Sequence, residues 1–271
     1  MTQIALSGMP TPLFRAIPAR LTTWLDCPRR FRFSYVDRPS PPKGPAWAHN
    51  SFGNTVHNAL RQWWSEPLAG RTPDAGRRLV DQAWIPNGYR DDDQESAHRE
   101  RARHVVADYL ATLDPADEPP GVERRVAARH GLLALEGRVD RIDRRGDELV
   151  IVDYKTGRSA LSADDARGSL ALAVYAVAAG STLRAPCRTV ELHHVTTGEV
   201  HSFTHTEESL ERHLGRAQRL AEEIRAAAVT EDFPARPSDG CRWCDFVRVC
   251  PAGRERVPEL LHPWSALPAI G

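Results

Sequence analysis

Apolar positions recur first at helical spacing, then at alternate residues, then at helical spacing again. Leu21, Trp24, Leu25, Phe31 and Tyr35 predict a first helical stretch, with Thr22 as its N-cap. A proline-rich loop, "DRPSPPKGPAW", follows. Val56, Leu60, Trp63 and Trp64 then form the stripe of a second helix that Ser51 would cap. Residues from about 74 to 113 continue as helices and end at "DPADEPPG". The first dozen residues read as a loose tail.

The period then shortens. "VERRVAARHG", "LLALEGRVDRIDRR" and "DELVIVDYKTG" are strand candidates, with Gly131 and Arg145-Gly146-Asp147 as turns. A helix is predicted from about Ser162 to Ala179, then a hairpin of "RTVELHHVTT" and "EVHSFTHT" around Thr197-Gly198. "EESLERHLGRAQRLAEEIRAAA" is amphipathic, with Leu210, Leu214, Leu220 and Ile224 near one face. This order predicts an α/β fold with a helical N-terminal part and a cysteine-rich C-terminal appendage. The chain reads as one domain over 1–271: a helical part at 20–115, an α/β core at 121–228, and a C-terminal segment at 230–252.

Charge narrows the picture only slightly. The 36 basic and 36 acidic residues cancel, which counts against a uniformly cationic nucleic-acid binder. The arginine clusters in "CPRRFRF", "HRERARH" and "DRIDRRGD" read more readily as solvated faces than as phosphate tracks. The start lacks a signal-peptide pattern, and "LALAVYAVAAG" is too short to span a bilayer. Five unevenly spaced cysteines do not suggest a secreted disulfide framework. The expectation is a soluble cytoplasmic protein without a membrane partner.

Only two lysines occur, and one of them, Lys155, lies in "VDYKTG". Asp153 and Lys155 share a strand face, and Asp140 lies on the neighbouring strand across a short turn. Three charges at one strand end need compensation, which a hard divalent cation such as Mg²⁺ would provide. A structural ion pair at the strand end accounts for them equally well. Cys241, Cys244 and Cys250 form a C-x2-C-x5-C array, and Cys27 stands far upstream beside a proline. Four thiolates of this kind suit one Zn²⁺ or an iron–sulfur centre. Closing so long a loop is worth roughly 5 kcal/mol of chain entropy. Cys187 has no assigned partner.

"GRVDRID" followed by "VIVDYKTG" resembles the core of the PD-(D/E)XK nuclease superfamily, in particular its RecB-like exonuclease branch. "CPRRFRFSYV", "FGNTVHNAL" and "LALAVYA" are similar to three further motifs of that branch, in the same order. The resemblance implies a restriction-endonuclease-like central mixed sheet flanked by helices, and metal-dependent hydrolysis of DNA. It makes His57, Asp140 and Asp153 metal ligands, Lys155 the catalytic lysine and Tyr175 a supporting residue. Glu123 becomes an accessory acid, against the plainer reading of a solvated strand-end glutamate. Where the family helix carries Gln-Leu-x-x-Tyr, this chain has Ala171, Leu172 and Tyr175, so the glutamine is missing.

The resemblance also selects among the cysteine readings. Iron–sulfur members, similar to AddB nuclease domains and iron–sulfur CRISPR adaptation nucleases, pair one distant cysteine with a C-terminal trio. It therefore implies a [4Fe–4S] cluster on Cys27, Cys241, Cys244 and Cys250, with Zn²⁺ as the alternative. The alternative function is an inactive nuclease-fold DNA-binding subunit of a helicase–nuclease or other repair or recombination assembly. A zinc-stapled interaction protein with a purely structural acidic pair is a further rival.

Overall fold

The computed structural model describes residues 12–258. A short strand β1 (Phe14–Ala16) leads into helices α1 (Pro18–Asp26) and α2 (Pro28–Phe31), the latter continued by a π turn over Arg32–Val36. Helices α3 (Ala48–Ser65), α4 (Pro73–Ala83) and α5 (Asp92–Leu110) complete the N-terminal part. Then come β2 (Gly121–His130), β3 (Leu133–Arg145) and β4 (Glu148–Lys155). Helices α6 (Ala163–Gly168) and α7 (Leu170–Leu183), strands β5 (Cys187–His194) and β6 (Glu199–Thr204), and helix α8 (Glu207–Thr230) follow. Two 3₁₀ turns carry the cysteine trio into α9 (Pro251–Arg256).

The six strands form one mixed sheet. Strands β2, β3 and β4 are antiparallel, β4 and β5 are parallel through the α6–α7 crossover, and β6 closes the far edge antiparallel to β5. Strand β3 is unusually long because it serves three partners. One edge pairs with β2; the other pairs with β1 at Leu133–Leu135 and with β4 at Arg141–Arg145. Among the described residues, 136–140 have no strand partner on that second edge.

Alternation along β4 divides the core into two layers. Leu149 and Ile151 pack with α1, α7 and α8, whereas Val150, Val152 and Tyr154 pack under α3, α4 and α5. The mixed sheet flanked by helices is the α/β arrangement expected from the order of elements.

Local differences from the sequence expectation have plain causes. Helix α1 starts at Pro18, whose fixed φ suits a first turn, so Thr22 lies inside it and its hydroxyl donates to the Pro18 carbonyl at 3.1 Å. Helix α3 starts at Ala48; Ser51 is buried within it and donates to the Asn87 carbonyl at 2.6 Å. The single helix expected from Ser162 breaks in two, because Ser169 caps a new start by accepting from the Leu172 N–H at 3.2 Å. Strand β1 was not expected. The loose-tail reading falls mainly on residues outside those described. Among the described residues, no helix is long and apolar enough to cross a membrane.

Candidate metal site and its cleft

The site lies where β3 and β4 part. Their ladder ends at the pair Arg141–Val152, so Asp140 and Asp153 occupy the next cross-strand position, just beyond it. There the freed Tyr154 N–H donates to Asp140 Oδ2 at 2.9 Å, which pins that carboxylate between the strands. Helix α3 reaches over this point. Its His57 Nδ1 lies 3.4 Å from Asp140 Oδ1, and its ring meets Tyr154 edge-on, with centroids 5.7 Å apart.

Glu123 completes a trio. One ligand atom each of His57, Glu123 and Asp140 lie within 4.8 Å of one another, the one such group of metal-ligating side chains among the described residues. Glu123 is not the solvated strand end that its sequence position suggests. Its side chain is 15% exposed and Oε2 forms an ion pair with Arg138 Nε at 2.8 Å. Its φ of 48° is left-handed, rare and costly for a residue with a Cβ. It interrupts the β2–β3 pairing opposite Asp140, between the Val122–Arg141 and Arg124–Val139 pairs. Backbone strain is thus located at the residue that adds a second carboxylate to the trio.

Asp153 stands outside the trio, on the same strand face as Lys155. Lys155 Nζ approaches Asp153 Oδ2 to 2.5 Å. The contact is out of line for a hydrogen bond, and Oδ2 is otherwise buried without a partner. The Lys155 side chain remains 46% exposed, open to the cleft. Burial holds the Asp153 carboxyl above its usual range; Lys155 opposes that and Asp140 reinforces it. Burial raises Glu123 similarly, against Arg138. Burial alone would lower His57, but Asp140, Asp153 and Glu123 outweigh it and raise it.

Burial thus favours the protonated forms of Glu123 and Asp153, and the neighbouring carboxylates favour that of His57. A hard divalent cation would displace those protons and draw the Asp153 oxygen from Lys155, so this donor set fits Mg²⁺ or Mn²⁺. The imidazole inclines it toward Mn²⁺.

Tyr175 reaches the site from α7. Its ring lies against Gly137, at the strand edge left open between β1 and β4, where an added Cβ would stand 2.3 Å from Cε1. Burial, with Asp153 and Asp140 next, pushes its hydroxyl up to about 12. The loop after Lys155 is clamped from β5: His194 Nε2 donates to the Gly157 carbonyl at 2.7 Å, and Nδ1 contacts the Thr197 hydroxyl at 2.6 Å.

Behind the site runs a polar chain that the sequence did not disclose. Arg141 is buried; it donates to Asp143 at 2.9 Å and lies 3.3 Å from the Tyr154 hydroxyl. The Tyr109 hydroxyl contacts His193 Nδ1 at 2.8 Å, and His193 Nε2 donates to Glu191 at 2.9 Å. Arg145 grips the same carboxylate at 2.6 and 2.9 Å. The ring of Tyr154 links this chain to His57.

A cleft of about 1170 Å³ opens above His57, Glu123, Asp140 and Lys155. Arg101, Arg138 and Arg158 also line it, so four cationic side chains face two carboxylates there. Neutrality of the whole chain conceals this local excess.

The second cavity, about 240 Å³, is lined by Cys27, Cys241, Cys244 and Cys250 together. All four are free thiols. Cys27 is brought there by Arg29, which donates to the Phe233 carbonyl at 2.9 Å, and by Arg236, which donates to Leu25 at 2.9 Å. The backbone N–H groups of Arg236 and Ser238 point at the sulfurs of Cys27 and Cys241, each at 3.4 Å. Arg29, Arg30 and Arg236 line the cavity and would offset thiolate charge. Cys187 is far from this set in role: it is buried in the core at the start of β5, and burial pushes its thiol up to about 12.

A sequence model described as the PD-(D/E)XK nuclease superfamily matches residues 17–251. No curated protein matches the chain. Among solved structures, one titled "Crystal structure of SSO0001" is similar over 86% of this chain and 85% of its own, with a TM-score of 0.43 and 16% identity.

Proposed function

The chain belongs to the PD-(D/E)XK nuclease superfamily, and from that premise we propose a metal-dependent deoxyribonuclease of the RecB-like kind that degrades DNA from ends. The observation that carries the reading is the His57–Glu123–Asp140 trio beside the Asp153–Lys155 ion pair, on the floor of a locally cationic cleft.

His57, Asp140, Asp153 and Glu123 would hold a divalent cation, which would supply Lewis-acid activation of a phosphodiester. The protein's own residues do the rest. Asp140 is fixed by the Tyr154 N–H and orients His57 from the opposite side. Asp153 holds the Lys155 ammonium at the strand end, where its open side faces the cleft. From there Lys155 donates to the nucleophile or to a phosphoryl oxygen as charge develops. Arg138 offsets Glu123 and stands at the rim, within reach of the strand backbone. End-dependence rests on the motif resemblance alone.

The four cysteines are assigned a structural [4Fe–4S] cluster. Zinc is the rival at the same four thiols. The motif resemblance is what favours the iron–sulfur centre.

The deciding experiment incubates anaerobically purified protein with linear and covalently closed circular DNA in Mg²⁺, Mn²⁺ or chelator. Loss of linear DNA only, abolished by chelator, is expected. Equal cutting of circles overturns the exonuclease assignment. No cutting under any metal favours the second reading, an inactive DNA-binding subunit of a helicase–nuclease or repair assembly, which Ala171 in the glutamine position supports.

A further inference from the structure

The cleft is bounded by an element with no part in holding the metal. Trp243 lies in the two-residue spacer between Cys241 and Cys244, in the 3₁₀ turn over Asp239–Trp243. It nevertheless lines the cleft that contains His57 and Lys155, while both cysteines line the separate thiol cavity. One short loop thus faces both sites.

The indole is held in place by two neighbours. It meets Trp47 edge to face, with centroids 5.2 Å apart at 77°, and His49 at 5.1 Å and 84°. Trp47 and His49 themselves stack at 23°. Such edge-to-face packing fixes a ring without covering both its faces. Neither tryptophan belongs to the hydrophobic core: both are half-buried, and His49 is exposed. Arg101 and Arg158 have no acidic partner among the described residues and border the same cleft, with the Arg101 guanidinium over the Phe52 ring. His49 and His57 are eight residues apart on α3, about 12 Å along its axis. An aromatic face in a cleft that guanidinium groups also border, with the phosphodiester site in the same cleft, is the arrangement that holds an unpaired base and its phosphates.

We propose that Trp243, braced by Trp47 and His49, is a stacking platform for an unpaired nucleobase, so that the strand entering the site is single-stranded. This rests on the nuclease reading for what happens at His57 and Lys155, but not for binding. A paired base within a duplex has no free face to offer Trp243, whereas an unwound or frayed end does.

The test uses full-length protein without added divalent metal, a fluorescein-labelled oligothymidylate, and a blunt hairpin duplex, read by anisotropy. Wild-type protein is expected to bind the single strand more tightly and to show indole quenching. Trp243→Leu should weaken single-strand binding about 5- to 150-fold, the range for one lost base stack, and duplex binding much less. Trp243→Phe should restore most of the loss. Unchanged binding by Trp243→Leu, or equal weakening on both ligands, overturns the proposal. If Trp243→Leu loses its fold by circular dichroism, His49→Ala serves instead, with a smaller weakening expected and no change overturning the idea. Cleavage by the wild type in Mn²⁺ is scored separately. Cutting with a silent Trp243→Leu refutes the platform alone, whereas binding through Trp243 without cutting refutes the nuclease reading alone.

Discussion

Gly137→Ala adds one methyl group where β3 has no room for it. The new Cβ would stand 2.3 Å from Tyr175 Cε1 and 2.9 Å from Cδ1. Carbon atoms pack best at about 3.5–4.0 Å, so the overlap exceeds roughly 1 Å. The ring cannot retreat with its helix, because Val174 and Ala176 on either side are fully buried against the sheet. Either the side chain leaves its rotamer or β3 shifts, at a cost of about 1–3 kcal/mol for an overpacked site. Alanine recovers about 0.5–1 kcal/mol over glycine in a strand through lower chain entropy. The net loss expected is therefore between about 0 and 2.5 kcal/mol, read as a lower urea midpoint at constant slope. The decisive assay is a double-mutant cycle with Tyr175→Ala, which removes the atoms that collide. A coupling of about 1–3 kcal/mol is expected, with the double variant less impaired than the single effects sum to. A coupling near zero, or a more stable Gly137→Ala, would refute the idea that this glycine exists to seat Tyr175. Cleavage should fall with stability held above threshold, since Asp140 lies three residues further along the displaced strand.

Lys155→Arg should fold and bind DNA yet lose about 10²–10³ in cleavage rate, because the planar fork cannot take the place of a compact ammonium; near-wild-type turnover on linear DNA would show that this lysine is not catalytic. Anaerobic protein should contain about four irons per chain with a broad visible band, and Cys27→Ser should bleach it as fully as Cys241→Ser; stoichiometric zinc without iron would remove the cluster assignment. Glu191 is buried, which would raise its carboxyl, but His193 and Arg145 overcome this and hold it at about 2. A depressed carboxyl contributes stability above its unfolded value near 4.5 and loses it as the pH falls toward about 2. Wild-type protein should therefore lose on the order of 3 kcal/mol over that window relative to Glu191→Gln, and parallel stability–pH curves for the two proteins would contradict the assignment.

Much of the site was legible because it is local. A strand, a tight Arg145-Gly146-Asp147 turn and a second strand necessarily bring Asp140 and Asp153 opposite each other, and alternation puts Lys155 on the face of Asp153. The α/β order followed from the two periodicities in the same way, since each is a property of backbone geometry that neighbouring residues impose on one another. The caps at Thr22 and Ser51 were misread because Pro18 and Ala48 start their helices earlier, and nothing in a three-residue run such as Phe14–Ala16 distinguishes a strand from a tail. That strand exists because the start of β3 offers it an edge and a core.

Longer-range features were decided by packing. Glu123 enters the trio through a left-handed φ that no local preference would choose. Cys27 reaches the C-terminal thiols through the Arg29 and Arg236 hydrogen bonds to chain segments some two hundred residues away. Trp243 carried a signal, its place inside a C-x-x-C spacer, but its direction into the cleft depends on how α3 and the cysteine loop meet. The same holds for charge: composition reports a sum of zero, and only the fold gathers Arg101, Arg138, Arg158 and Lys155 around two carboxylates. Periodicity and turn chemistry act over a few residues and are written in the chain; convergence of distant side chains depends on the burial of two core layers, which no single segment encodes.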